Sequence, residues 1–490
     1  MQLNIVDIIV VALFFLFMVV IGIYAYFKNK SSEDFFVAGG SLPWWLSGIS
    51  HHVSGYSGAV FVAYAALAYT HGFSLYVWWA FAIGIAILAT AKIFPVYWVR
   101  LRKKFQIQSP LEYLATRYNI LTQQIIAWSG VILKLFDVGA KWAAIAILLE
   151  ITTGIPLTYG ILISGGISLI YITFGGLWAV IITDFAQFLV QLVAGVIMFV
   201  IVLNRFGEGG SSILGMWERL PPENSQLFND PYSAGFALVF LFIAFLSYNG
   251  GSWSLATRYI SSNSEKDASK AAQLSGILYL LWPLILFFPM WAAPLILPDL
   301  EDPSQTYGLL IVELLPQGLI GLVIASLFAN TMSMTSSDVN TISAVITRDI
   351  LPVTFARFRN GKTSLITAQV TTFVFTSMTI GIALEYERFG GVLGLIISWF
   401  GALLGPIAVP LLFGLIPAFR SCGPGAAIIS IVGGLLTFAI TKIITMESMA
   451  LEVGLPVIVA SLIYITIGLV RHKHVSQKVK TLMAALAKQK

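Results

Sequence analysis

The 490-residue chain is 58% hydrophobic and only 10% charged, with a mean hydropathy of +0.87. Soluble domains carry roughly 25% charged residues, so the composition excludes a water-soluble globule and any sizeable soluble catalytic domain. The net charge of +5 comes from basic residues between apolar runs and does not imply nucleic acid, and a lone cysteine, Cys422, excludes an internal disulfide.

Runs of about 20 apolar residues cross a bilayer core. About thirteen follow one another: 6–27, 44–70, 74–98, 121–152, 156–174, 180–204, 233–256, 272–297, 317–347, 364–386, 389–418, 424–443 and 452–470. The first is too long for a signal-peptide core and lacks a small-residue cleavage site, so it reads as a true span. The second contains HHVSGYSG (51–58), rich in glycine and serine at mid-span. The fourth carries KLFDVGAK (134–141), with three charges at helical spacing. The seventh contains SYNGGSWS (247–254), interrupted like the second. The ninth passes without a turn signal from LIGLVIASL into FANTMSMTSSDVN (328–340), an unusually polar stretch for a membrane helix.

Lys and Arg placement sets orientation. With the N-terminus outside, Lys28, Lys30, Arg100, Arg102, Lys103, Lys104, Arg258, Lys266, Lys270, the 348–362 segment and the tail all fall on the cytoplasmic side. The acids Glu208, Glu218, Asp299, Glu301 and Asp302 fall outside. A plasma (inner) membrane protein with a cytoplasmic C-terminus is expected. Spans two and seven each open a set of five, and an odd set forces the two to enter the membrane from opposite sides. Inverted-repeat secondary transporters are built this way, with paired broken helices at a midplane site. Glycine in a membrane helix also serves close packing, but its recurrence at corresponding places favours a site.

The expected fold is therefore an all-α integral membrane protein. A leading helix precedes a 5+5 inverted repeat with discontinuous core helices 1 and 6, and two further helices follow. The boundaries are 1–43 for the leading span and amphipathic lead-in, 44–206 for the first repeat and 207–232 for an external loop. The second repeat is 233–420, the last two helices 421–470 and the basic tail 471–490.

Five segments carry a family resemblance: DFFVAGGSLPWWLSG (34–48), SPLEYLATRY (109–118), TFGGLWAVIITDFAQ (173–187), TRYISSNSEKDASKA (257–271) and MSMTSSDVNTISAVITRDI (332–350). In this order they resemble motifs of the sodium/solute symporter family, with its leucine-transporter-type core, over nearly the whole chain. The resemblance implies a non-enzymatic symporter with Na+ as co-transported ion, a small solute, a lipid bilayer and no obligatory protein partner. It also implies a shared sodium position formed by carbonyls of Val53, Tyr56 and Asn330, the hydroxyl of Ser333, and position 334. There this chain has Met334 where the family usually has Ser or Thr, and a thioether is a poor ligand for a hard cation. A second position, described in some members, corresponds to Asp184, Ser336 and Ser337. Ser333, Ser336, Ser337 and Asn340 share one helical face by spacing. The bland alternatives are serines bonded to carbonyls one turn earlier and an Asp184 that merely caps or is hydrated.

For the solute, Ser57, Trp79, Lys141, Asn249 and Ser252 are the candidate contacts. The resemblance implies that Lys141 stands where some acid-transporting members place an arginine. Its spacing from Asp137 equally allows a structural ion pair, and it is also suited to replace a lost sodium. Trp78, Trp79, Tyr248 and Trp253 suit the walls of a sugar pocket or an interfacial belt. His51 and His52 lack the neighbours of a metal motif and suit hydrogen bonds to freed carbonyls. ARFRNGKTS (356–364) lacks the first glycine of a phosphate loop and no strand precedes it, so it is rejected. A sugar, polyol or sugar acid is the favoured solute. The rival readings are a proton-coupled or uncoupled carrier that uses Lys141 as its cation, and a sodium- or solute-sensing receptor on a transporter core. The 20-residue tail argues against the receptor.

Overall fold

A computed structural model describes residues 4–56, 60–207, 215–358, 364–389, 405–444, 446, 448–470 and 475–487; helices dominate them, and no strand occurs among them. In chain order, α1 (Ile5–Tyr26) is followed by α2 (Trp44–Val53), and helix resumes at α3 (Val60–His71). α4 (Tyr76–Thr90) and α5 (Phe94–Phe105) meet at a bend of 55°. α6 (Ile120–Thr153) and α7 (Leu157–Gly207) lead to a second break, between α8 (Ala234–Leu246) and α9 (Trp253–Ile260). Then come α10 (Glu265–Ile296), α11 (Leu319–Thr354), α12 (Leu365–Leu384), α13 (Gly405–Phe413), α14 (Pro424–Ile443), α15 (Met449–Val470) and α16 (Gln477–Leu486).

The apolar runs supply the helix interiors, and short polar residues start them. Asn119, Ser233 and Ser364 each accept a backbone N–H of the first turn of α6, α8 and α12, closing donors that hydrocarbon would leave unpaired. Among the described residues eight helices are long and apolar enough to cross a membrane, or nine when α4 and α5 count as one bent span. The thirteen apolar runs of the sequence differ from this for definite reasons. The run at 44–70 is divided by the α2–α3 break, α6 carries Lys134, Asp137 and Lys141, and half of the run at 389–418 lies outside the described residues. The runs at 156–174 and 180–204 share the 51-residue α7, whose backbone leaves helical geometry at Gly176 (φ 54, ψ −152). At 1.5 Å per residue a straight helix of that length would reach about 76 Å, well over twice a bilayer core. Gly176 therefore joins two arms. A Cβ there would meet the Phe35 carbonyl at 2.7 Å, so glycine lets the lead-in pack against the joint.

α11 forms the centre, packed against α7, α6 and α1 and buried along nearly its whole length from Ile320 to Val345. The leading helix is tied to it through Asp7, whose Oδ1 accepts the backbone N–H of Gly318 at 2.8 Å and of Gly321 at 2.6 Å. An acid inside an apolar run is thus used to close the first turn of another helix. The opposite side of α1, including Ile9, Leu13, Leu16 and Val20, is exposed and suits lipid.

Candidate functional site

The two helix breaks lie near each other. α2 stops at Val53 and continues through Ser54, Gly55 and Tyr56, while Ser57 lies outside the described residues. α8 loosens into a wide turn over Ser247–Gly251, where Gly250 takes φ 132. A Cβ on Gly250 would stand 2.6 Å from the Trp98 ring, and Trp98 Nε1 donates to the Asn249 carbonyl at 2.9 Å. The unwound backbone of the second break is thereby held from α5.

Around the first break is a nest of rings. Tyr56 stacks on Tyr279 with centroids 5.5 Å apart, Trp79 meets Tyr56 edge-on at 5.3 Å, and Tyr248 meets Tyr279 at 5.4 Å. Trp79 is thus in this nest, whereas Trp78 stacks on Tyr232. Neither ring nitrogen of His52 nor the Tyr56 hydroxyl has a partner among the described residues, although both side chains are buried. Such groups carry a desolvation penalty unless a ligand or water completes them. His51, by contrast, meets Ser275 Oγ at 2.8 Å and the Tyr248 carbonyl at 3.3 Å. Asn249 is occupied locally: Nδ2 donates to the Phe245 carbonyl at 2.8 Å and Oδ1 accepts from Thr90 at 2.7 Å. Ser252 pairs with Ser247 at 2.8 Å.

The polar face of α11 meets two charged centres. In the first, Asp184 of α7 and Arg258 of α9, both fully buried, form an ion pair with Nη2 3.2 Å from Oδ2. Ser333 donates to Asp184 Oδ1 at 2.5 Å, and Ser50 of α2 donates to Oδ2. The guanidinium also donates to Ser50 at 2.9 Å, to Ser54 at 3.1 Å and to Ser337. Four helices converge on one ion pair. Ser336 is not in this set, because its hydroxyl donates to the Met332 carbonyl at 2.6 Å.

The second centre joins α6 to α11. Lys134 Nζ lies 2.7 Å from Asp137 and 2.9 Å from Asp338, and Lys141 Nζ lies 2.7 Å and 2.6 Å from the same carboxylates. Two cations and two anions balance. Lys141 is therefore held by two acids, one of them 197 residues away in sequence.

Of the shared ion position, the Val53 carbonyl accepts the Tyr56 N–H at 3.0 Å, and the Asn330 side chain turns back to the Ser326 carbonyl at 2.9 Å. Ser333 belongs to the Asp184 centre, and Met334 is half-buried. Among the described residues no group of three or more His, Cys, Asp or Glu side chains is arranged to hold a metal.

Sequence reasoning counted Arg258 only among the basic residues of the cytoplasmic side and missed it as a site residue; in the structure it is wholly buried. Asp338, Ser50 and Ser54 were also missed as site residues. The usable signal was local: Ser50 and Ser54 lie one turn apart, and Asp338 is an acid inside an apolar span, which is expensive unless it is paired.

Comparison with known proteins completes the description. A family model described as Sodium:solute symporter family matches residues 35–433. The sodium/sialic acid symporter NanT of Aliivibrio fischeri is 27% identical over 373 residues, 71% of each chain. The sodium/glucose cotransporter of Vibrio parahaemolyticus is 27% identical over 386 residues, covering 71% of this chain and 69% of its own. Among solved structures, a Na+-coupled sialic acid symporter in a substrate-bound outward-open state superposes with a TM-score of 0.81 at 21% identity, over 95% of this chain and 98% of its own. Mhp1, a nucleobase-cation-symport-1 family transporter in a closed conformation, gives 0.60 at 16% identity, over 93% of this chain and 99% of its own. These two likenesses establish a shared transporter fold.

Proposed function

The chain belongs to the sodium:solute symporter family, and from that premise we propose that it imports a neutral sugar or polyol by alternating access. It is a multi-pass membrane transporter and not an enzyme, and Na+ is its co-transported ion. In the proposed arrangement thirteen spans lie in a bacterial plasma membrane with the N-terminus outside. A leading helix precedes inverted repeats at 44–206 and 233–420, and the external loop, last helices and tail keep the boundaries given above. One sodium entering at −100 mV contributes roughly 2.3 kcal/mol in addition to its concentration gradient.

The observation that carries the choice of solute is the ring nest at the helix breaks, with the unpartnered His52 and Tyr56 inside it. Aromatic faces cover the apolar side of a sugar ring, and the neutral polar groups can exchange hydrogen bonds with hydroxyls. Trp79 is the wall carried forward from the sequence, and Asn249 and Ser252 are proposed contacts from the second break; Ser57, proposed with them from the sequence, lies outside the described residues. Lys141 is already ion-paired with both Asp137 and Asp338. A solute carboxylate would have to displace one of them, so a neutral solute is favoured over the acid carried by the sialic acid symporters. Sodium is proposed to use Val53, Tyr56, Asn330 and Ser333.

The test is uptake by purified protein in proteoliposomes under an inward sodium gradient, with glucose, myo-inositol and sialic acid in parallel. Sodium-driven accumulation of a neutral solute is expected. Transport of sialic acid alone, or uptake that follows a pH gradient and ignores sodium, would overturn this proposal.

A further inference from the structure

We propose that Arg258 is a tethered cation at the acidic centre, competing with sodium for Asp184. In the arrangement described, ions then couple only at the carbonyl-and-hydroxyl position. This rests on the reading of the chain as a sodium symporter and adds the number of ions bound. Of the three residues that sequence suggests for a second sodium, Asp184 and Ser337 bond directly to the guanidinium, and Ser336 is turned to the Met332 carbonyl. Asp184 Oδ2 takes Arg258 and Ser50, while Oδ1 takes Ser333. A carboxylate offers about four acceptor sites, so three are already in use.

The charge count agrees. Asp137, Asp184 and Asp338 face Lys134, Lys141 and Arg258 across the two neighbouring centres, so these six residues balance without a bound ion. Ser337 and Asp338, adjacent in α11, connect the two centres. Geometry also makes the arginine removable. It projects from α9, the short helix directly after the second break, whereas Asp184 and Ser337 stand on the long helices α7 and α11. A shift of α9 that withdraws the guanidinium leaves a buried carboxylate uncompensated, which is strongly unfavourable unless another cation arrives. Arginine and sodium are thus alternative occupants of one carboxylate.

The experiment counts radioactive sodium bound per purified chain at saturation, a readout that does not require the solute to be known. One ion is expected for the wild type, two for Arg258→Gln, one for Arg258→Lys, and one for the double variant Arg258→Gln/Asp184→Asn. The double variant leaves neither charge unbalanced, so it covers the case in which Arg258→Gln fails to fold. Two ions in the wild type falling to one in Asp184→Asn would overturn the proposal, as would a folded Arg258→Gln with no added ion. Loss of sodium binding in the folded double variant would also overturn it, by showing that the single ion depends on the Asp184 carboxylate and not on the carbonyl-and-hydroxyl position alone. Failure of the solute assignment alone leaves all four counts readable.

Discussion

Lys141 shows how a residue's chemistry depends on distant partners. Sequence spacing offers it Asp137; the fold adds Asp338 at 2.6 Å. Breaking a buried ion pair by removing one partner costs about 3–5 kcal/mol. Lys141→Gln is therefore expected to lower the thermal unfolding temperature in detergent, and to reduce uptake of acidic and neutral solutes by similar factors. Lys141→Gln with Asp338→Asn should recover much of the lost stability. Loss confined to an acidic solute would instead assign Lys141 to its carboxylate. Met334 is the complementary case, a soft sulfur beside the hydroxyl of Ser333. Met334→Ser adds an oxygen to the proposed shared position. With a net contribution like that of one hydrogen bond, about 0.5–1.5 kcal/mol, it should raise apparent sodium affinity about two- to twelvefold in uptake titrations. An unchanged midpoint would remove position 334 from the ion site.

Helix ends and breaks decide behaviour at the level of elements. Gly250 holds a backbone conformation that side chains avoid and has Trp98 where a Cβ would stand. Gly250→Ala should cost about 1–3 kcal/mol in backbone strain alone and suppress transport. Pairing it with Trp98→Phe relieves the contact but not the strain, so only partial recovery of the unfolding temperature is expected. Asp7 acts on another element altogether, by closing the first turn of α11. Hydrogen bonds to a charged group contribute about 1.5–3 kcal/mol. Asp7→Ala should destabilise the protein by that amount, whereas Asp7→Asn, which keeps an acceptor, should lose less. Equal losses would mean that the charge, and not the acceptor, holds α1 to α11.

For the molecule as a whole, charge asymmetry makes a topological prediction: the cluster at 100–104 faces the cytoplasm. Arg100 of that cluster bonds to Glu265 at 2.8 Å and to the Leu486 carbonyl at the end of α16, so the C-terminal helix lies on the same side. Cys422 is buried against the Tyr464 carbonyl. In a Cys422→Ser background, a cysteine introduced by Lys103→Cys should resist an impermeant thiol reagent in intact cells and react once the membrane is opened. Labelling in intact cells would reverse the orientation.

Composition alone determined the solvent of this protein, because so few charges cannot cover a soluble surface, and apolar runs of bilayer length must then be helices whose backbone bonds close internally. Glycine-interrupted segments likewise marked where helices break, since unwinding depends on local backbone freedom that Gly250 carries in itself. The polar stretch of α11 identified the face that matters, because helical periodicity is a local property. Which group answers each polar residue was decided only by tertiary structure. Arg258 reads as one more basic residue beyond a span until α9 places it on Asp184, 74 positions earlier. Asp338 has no partner within a turn of its own helix and acquires two from α6. The physical reason is that a buried charge is stable only with its counter-charge in contact, and contact between residues far apart in the chain is set by how helices pack, which no local pattern encodes.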